Sequence, residues 1–290
     1  MRHLLAMILA ASPALAEVPQ VVTDIPPVHA LVAQVMGDLG APVLLLERGA
    51  DEHDFQLRPS QMGAVAEAGL VVWIGPELTP WLADALQARG EGGASLPLLA
   101  AEGTRRRSFV DDDGHDHGGT DPHAWLDPGN ATLWLNLIAG ELSHLDPANA
   151  ATYAANARAA QGRIEAMDGQ VAALLAPFAK APVVTFHDAY GYFFAHYGLT
   201  LADTVALGDA AAPGAARLSE LRATMKTGAV LCIFPEVQHD PALVEQMAEG
   251  TGARIGGALD PVGAMLEPGP DAYAALITGT AQVLADCLAD

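Results

Sequence analysis

Short apolar runs alternate along this chain with longer amphipathic stretches, the rhythm of α/β layers built on largely parallel sheets. In the first half, VVTDI (21–25), PVLLLE (42–47) and LVVWIG (70–75) read as strands. Helices are predicted between them near 28–37 and 59–68, the second opened by Pro59-Ser60. A polar, Gly-rich stretch over about 90–122 is too hydrophilic to form a core element. The strongest helical pattern starts at Asp146-Pro147, read as N-cap and first helical residue, and runs through alanine-rich sequence to Ala176. Tyr153, Ile164, Met167, Val171, Leu174 and Leu175 occupy its apolar positions. At ~1.5 Å per residue such a helix is about 45 Å long. The rhythm then resumes, with strands at 182–186, 199–205 and 229–234. Helices are expected from Asp188, near 217–227, from Pro241 and from about 270.

Composition sets the compartment. Residues 1–16 carry Arg2, an apolar run and a small-residue ending, Ala14-Leu15-Ala16, which is the pattern of a secretory signal peptide. No cysteine lies near that cleavage point to carry a lipid anchor, and no later stretch offers about 20 uninterrupted apolar residues. A soluble periplasmic protein of 290 − 16 = 274 residues is expected, long enough for two domains. Without the leader the chain has 13 Lys+Arg against 35 Asp+Glu, a formal charge of −22. Such a surface excludes nucleic acid as a partner and draws in cations. Cys232 and Cys287 are the only cysteines, and in an oxidising compartment they are expected to form one disulfide.

Three histidines carry the candidate chemistry: His53 in GADEHDFQLRPS, His123 in DPHAWLDP and His187 in VVTFHDAYGYF. They stand 70 and 64 positions apart, so only tertiary folding could join them, and a local zinc finger is excluded. His187 directly follows a strand, where open α/β sheets place ligands; His53 and Asp260 fall in loops after apolar runs. Three imidazoles suit Zn²⁺, whereas Mn²⁺ prefers more oxygen, and Cu²⁺ would bind such donors tightly where it is available.

These segments resemble the ZnuA-like zinc-binding receptors of bacterial ABC importers, in cluster A-I of the solute-binding proteins. The resemblance rests on GADEHDFQLRPSQ with LVVWIGPELTPWL, DPHAWLDPGNA, FHDAYGYFFAHYGL, and CIFPEVQHDPALVEQMAEGTG with LDPVG, in order over nearly all of the chain after the leader. It implies two (βα) domains with mostly parallel sheets, joined by a long rigid backbone helix, with a metal in the cleft between them. The matching boundaries are 17–145, a linking helix over 146–177, and 178–290. His53, His123 and His187 match the family's ligands. Asp260 is the favoured fourth ligand, with Glu52 or water as alternatives. The implied role is a monomeric, non-enzymatic receptor that passes Zn²⁺ to an ATP-driven membrane permease, with a metallochaperone as a further partner.

Asp111-Asp112-Asp113-Gly114-His115-Asp116-His117, within a loop over about 108–120, resembles a shortened metal-sensing loop of zinc receptors. His115, His117 and Asp116 would be its donors; the alternative is a solvated acidic loop. A zinc hydrolase with Glu52 as general base is the competing class, though no HExxH helix is present. His29 and His196 are expected to be packed or hydrogen-bonded, and His144 and His239 to lie on the surface. Trp73, Trp81, Trp125 and Trp134 read as packing residues. Asp188 is expected to cap the helix after it.

Overall fold

The computed structural model describes residues 18–110, 116–206 and 213–289; the leader at 1–16 and His115 of the acidic loop lie outside them. In the first half, β1 (Val21–Thr23), β2 (Val43–Leu44), β3 (Leu70–Trp73) and β4 (Ala94–Pro97) form a parallel sheet in the order β2-β1-β3-β4. Helices α1 (Pro26–Met36), α2 (Pro59–Glu67) and α3 (Pro80–Arg89) make its connections. Val21, Val22, Val71 and Val72 are buried on both faces of this sheet, which is why its strands read as unbroken apolar runs.

The stretch read as irregular contains an antiparallel pair, β5 (Arg107–Val110) with β6 (Asp116–Asp121). An unpredicted helix, α4 (Pro128–Leu145), follows it. Asp127-Pro128 reads as a turn, but Asp127 accepts the Gly129 N–H at 2.7 Å and caps this helix, with Pro128 in its first turn. The predicted linking helix is present as α5 (Ala150–Leu175), whose 26 residues extend ~39 Å. Its expected cap differs: Pro147–Asn149 forms a 3-10 turn, and the Asp146 carboxylate accepts the Asn149 side chain and the Tyr153 hydroxyl at 2.7 and 2.9 Å. Tyr153, Ala157, Ala160, Ile164, Met167, Val171 and Leu175 form the buried stripe of α5, with Ala157 and Ala160 small enough for close helix approach.

The second sheet holds β7 (Pro182–Thr185), β8 (Thr200–Thr204), β9 (Cys232–Ile233) and β10 (Arg254–Ile255), all parallel, in the order β10-β9-β7-β8. Its helices are α6 (Gly191–Tyr197), α7 (Ala215–Lys226) and α8 (Ala242–Ala248). Asp188 does not cap α6, whose N-cap is Tyr190; instead it lines a cavity with Arg107 and Asp121. The last helix, α9 (Ala272–Ala289), is long and apolar enough to cross a membrane by composition, but it packs on α1 and α5 inside the protein. One apolar core runs continuously through residues of both halves.

Specific polar contacts also join the halves. Trp125, fully buried, donates from Nε1 to the Pro261 carbonyl at 2.8 Å, while its own carbonyl accepts from Tyr273. The Tyr192 hydroxyl on α6 accepts the Arg107 N–H and donates to the Asp121 carbonyl, holding both strands of the β5–β6 pair. His196 lies between Asp127 and Asp168, 2.9 Å from each, and these hydrogen bonds raise its pKa against the opposing effect of burial. The expected Cys232–Cys287 disulfide is present and ties β9 to α9.

Two outcomes follow. Closing a loop of 55 residues, the disulfide restricts the unfolded chain, so the Cys232→Ala/Cys287→Ala variant should lose about 4 kcal/mol in chemical denaturation. Because the folded-state pKa of His196 is raised, its contribution is complete below the unfolded value of ~6.5 and is lost as pH rises through the folded value. His196→Asn should therefore lower the melting temperature more at pH 6 than at pH 9; an equal deficit at both would refute the ionic role.

Candidate metal centre

Side chains from both halves meet at the carboxyl ends of the two sheets. His53 lies in the long connection between β2 and α2, where the Asp51 carboxylate accepts its backbone N–H at 2.8 Å. His123 follows β6 in a short 3-10 turn, and His187 follows β7. Ligand nitrogens of the three lie within 4.8 Å of one another. Their ring centroids stand 5.3 to 6.0 Å apart, and His123 also lies 5.1 Å from the Trp125 ring.

Carboxylates orient two of the rings. His123 Nδ1 is 2.9 Å from Asp121 Oδ1, which also accepts the His123 backbone N–H. His187 Nδ1 is 2.7 Å from Glu236 Oε2. With each Nδ1–H directed to a carboxylate, the two Nε2 lone pairs face one another across 3.4 Å. Ligand atoms on a tetrahedral zinc with bonds of ~2.0 Å stand about 3.3 Å apart, so this spacing suits a shared cation. Burial, together with the neighbouring His123 and His187, lowers the pKa of His53 to about 3. It therefore stays neutral, the form that ligates metal.

Neither proposed fourth carboxylate belongs to the mutually close group. Glu52 Oε1 lies 3.9 Å from His53 Nε2. Its backbone is held by a 3.0 Å bond from Trp81 Nε1, and burial raises its pKa to about 8. Asp260 faces its own turn instead: Oδ1 accepts the Gly263 and Ala264 N–H groups, and Oδ2 that of Met265. Gly263, at φ 72°, gives this turn its left-handed residue. A carboxylate oxygen that accepts an amide N–H retains a lone pair, so these bonds fix the Asp260 side chain without removing it as a donor. Asp116 and His117 lie on β6, their side chains outside the described residues.

Asp51, Glu52, His53, His187, Glu236, Gln238, His239 and Pro261 line a cavity of about 10 Å³, room for one water-sized occupant. Asp121, Glu236 and His239 were missed in the sequence. Asp121 precedes His123 by two residues, while Glu236 and His239 follow an apolar strand, the position that drew attention to His187.

Two parallel sheets contributing donors to one buried point define a metal-binding receptor of the two-lobed type. Residues 21–287 match the family model described as zinc-uptake complex component A, periplasmic, and the chain belongs to this ZnuA family. It is 47% identical to the high-affinity zinc uptake system protein ZnuA of Paracoccus denitrificans, over 96% of this chain and 94% of that protein. The corresponding protein of Brucella abortus is 34% identical over 92% and 91%. Among solved structures, a ZnuA deletion mutant with zinc bound superposes at a TM-score of 0.78, with 26% identity over 92% of this chain and 97% of that one. The periplasmic zinc-binding protein TroA of Treponema pallidum shares the fold, at a TM-score of 0.83 and 21% identity over 93% and 99%.

The carboxylates behind the rings have a measurable role. Asp121→Asn and Glu236→Gln should each weaken divalent-metal binding by about 10–100-fold, read by competition with a chromophoric chelator. Unchanged affinity in both would show that the hydrogen bonds do not tune the ligands.

Proposed function

We propose that this protein is a periplasmic receptor that captures Zn²⁺ and delivers it to the membrane permease of an ATP-driven importer. The observation that carries this reading is the meeting of His53, His123 and His187, from separate segments, within 4.8 Å of one another. Three imidazoles favour zinc over manganese. The small cavity that His53 and His187 line suits an ion, which favours a receptor over a hydrolase.

In this reading the lobes are 17–145 and 178–290, with 146–177 as the connecting segment and 1–16 as a cleaved leader. The receptor is a monomer, handing zinc to the permease and meeting a metallochaperone as a second partner. Asp260 is the favoured fourth donor, its carboxylate fixed by the Gly263, Ala264 and Met265 amides, with Glu52, beside His53 on the cavity wall, or water as the alternative.

Competitive titration of the mature chain should give one tight zinc equivalent. Alanine at His53, His123 or His187 should weaken it by more than about 100-fold, beyond the range of indirect partners. Asp260→Asn should weaken it more than Glu52→Gln; the reverse order would transfer the fourth position to Glu52. Absence of a tight equivalent in the unmodified protein would remove the receptor assignment itself.

A further inference from the structure

His239 extends the donor set outward. We infer that Glu236 and His239 form a vestibule site, which takes a partly hydrated divalent cation at the mouth and transfers it to the inner histidines by ligand exchange. The inference rests on the zinc-receptor reading for the identity of the ion.

Side-chain exposure rises in sequence from the interior: 0% for His123, 7% for His187, 12% for His53 and 32% for His239. His123 is absent from the cavity wall, whereas the other three line it, so an ion arriving from solvent reaches His239 before His123. A turn over Glu236–His239, closed by a 3.2 Å bond from the His239 N–H to the Glu236 carbonyl, brings the ring over the carboxylate. Stacking on Phe186 at 4.2 Å and 21° fixes its plane.

The spacing is suited to a cation. His239 Nε2 lies 3.7 Å from Glu236 Oε2, longer than a hydrogen bond and near the ~3.3 Å edge expected between two zinc ligands. His187, Glu236 and His239 form a second group with donor atoms within 4.8 Å of one another. His187 and Glu236 thus connect two adjacent donor sets. Asp51 on the same wall adds negative charge that favours a cation. An ion held at the outer position can exchange waters for imidazoles one at a time, so no fully dehydrated ion has to cross the mouth.

A donor used only in transit lowers the barrier equally in both directions. In stopped-flow exchange between the full mature chain and a fluorescent zinc chelator, His239→Phe, which keeps the stacking ring, should slow uptake and release together by about tenfold. His239→Glu, which restores a donor atom, should recover most of both rates. The same losses should appear when His115 and His117 are serine, separating the vestibule from the acidic loop. Faster release with unchanged uptake would make His239 a ligand of the resting complex, and unchanged rates would remove it from the path; either overturns the inference. A Glu variant as slow as Phe would do so as well. Failure of the zinc-receptor reading would be visible earlier, as an unmodified chain that takes no zinc.

Discussion

His53, buried against His123 and His187, does not readily accept a proton, because a charge there loses hydration and meets neighbours of the same sign. The rest of the site is arranged around that constraint. His53 responds with a strongly lowered pKa. His123 and His187 each face a carboxylate at Nδ1, which fixes the tautomer and turns Nε2 toward the shared point. Those carboxylates are themselves buried; burial raises Asp121 to about 7 against the pull of the His123 N–H and Arg107. Rings gathered around one shared point are a suitable arrangement for a cation.

Such a site requires the two sheets to be held in register. Much of the joining is direct: Trp125 spans from beneath His123 to Pro261, and Tyr192 grips both strands of the pair that ends near His123. His196 joins α6 to the start of α4 and to α5. Burial alone would raise Asp127, but His196, the Gly129 N–H and Arg105 hold it below the usual carboxylate range. The geometry of the metal centre therefore depends on hydrogen bonds that lie outside it.

The parallel sheets, the long helix, the disulfide and the gathering of three histidines were legible because each leaves a local trace: an apolar run, a stripe, a cysteine pair, or a loop after a strand. Helix α4 was less legible because Asp127-Pro128-Gly129-Asn130 presents turn chemistry, although Asp-Pro also opens helices. The short strands β4, β5 and β6 lay hidden in polar sequence, their pairing set by distant neighbours. Asp260 shows the limit on single-residue roles. An aspartate in a loop after a strand can ligate, can close its own turn or can do both, and the Gly263, Ala264 and Met265 amides that fix its carboxylate leave no trace in the local sequence. Glu236 and His239 were obscured by the same ambiguity.

Helix α9 lies against α1 and α5, so the end of the chain completes the packing of its beginning. Helix α1, which links the first two strands, buries part of its surface against α9. Segments far apart in sequence therefore form one packing unit, and neither half of the fold has a core of its own that is complete without the other.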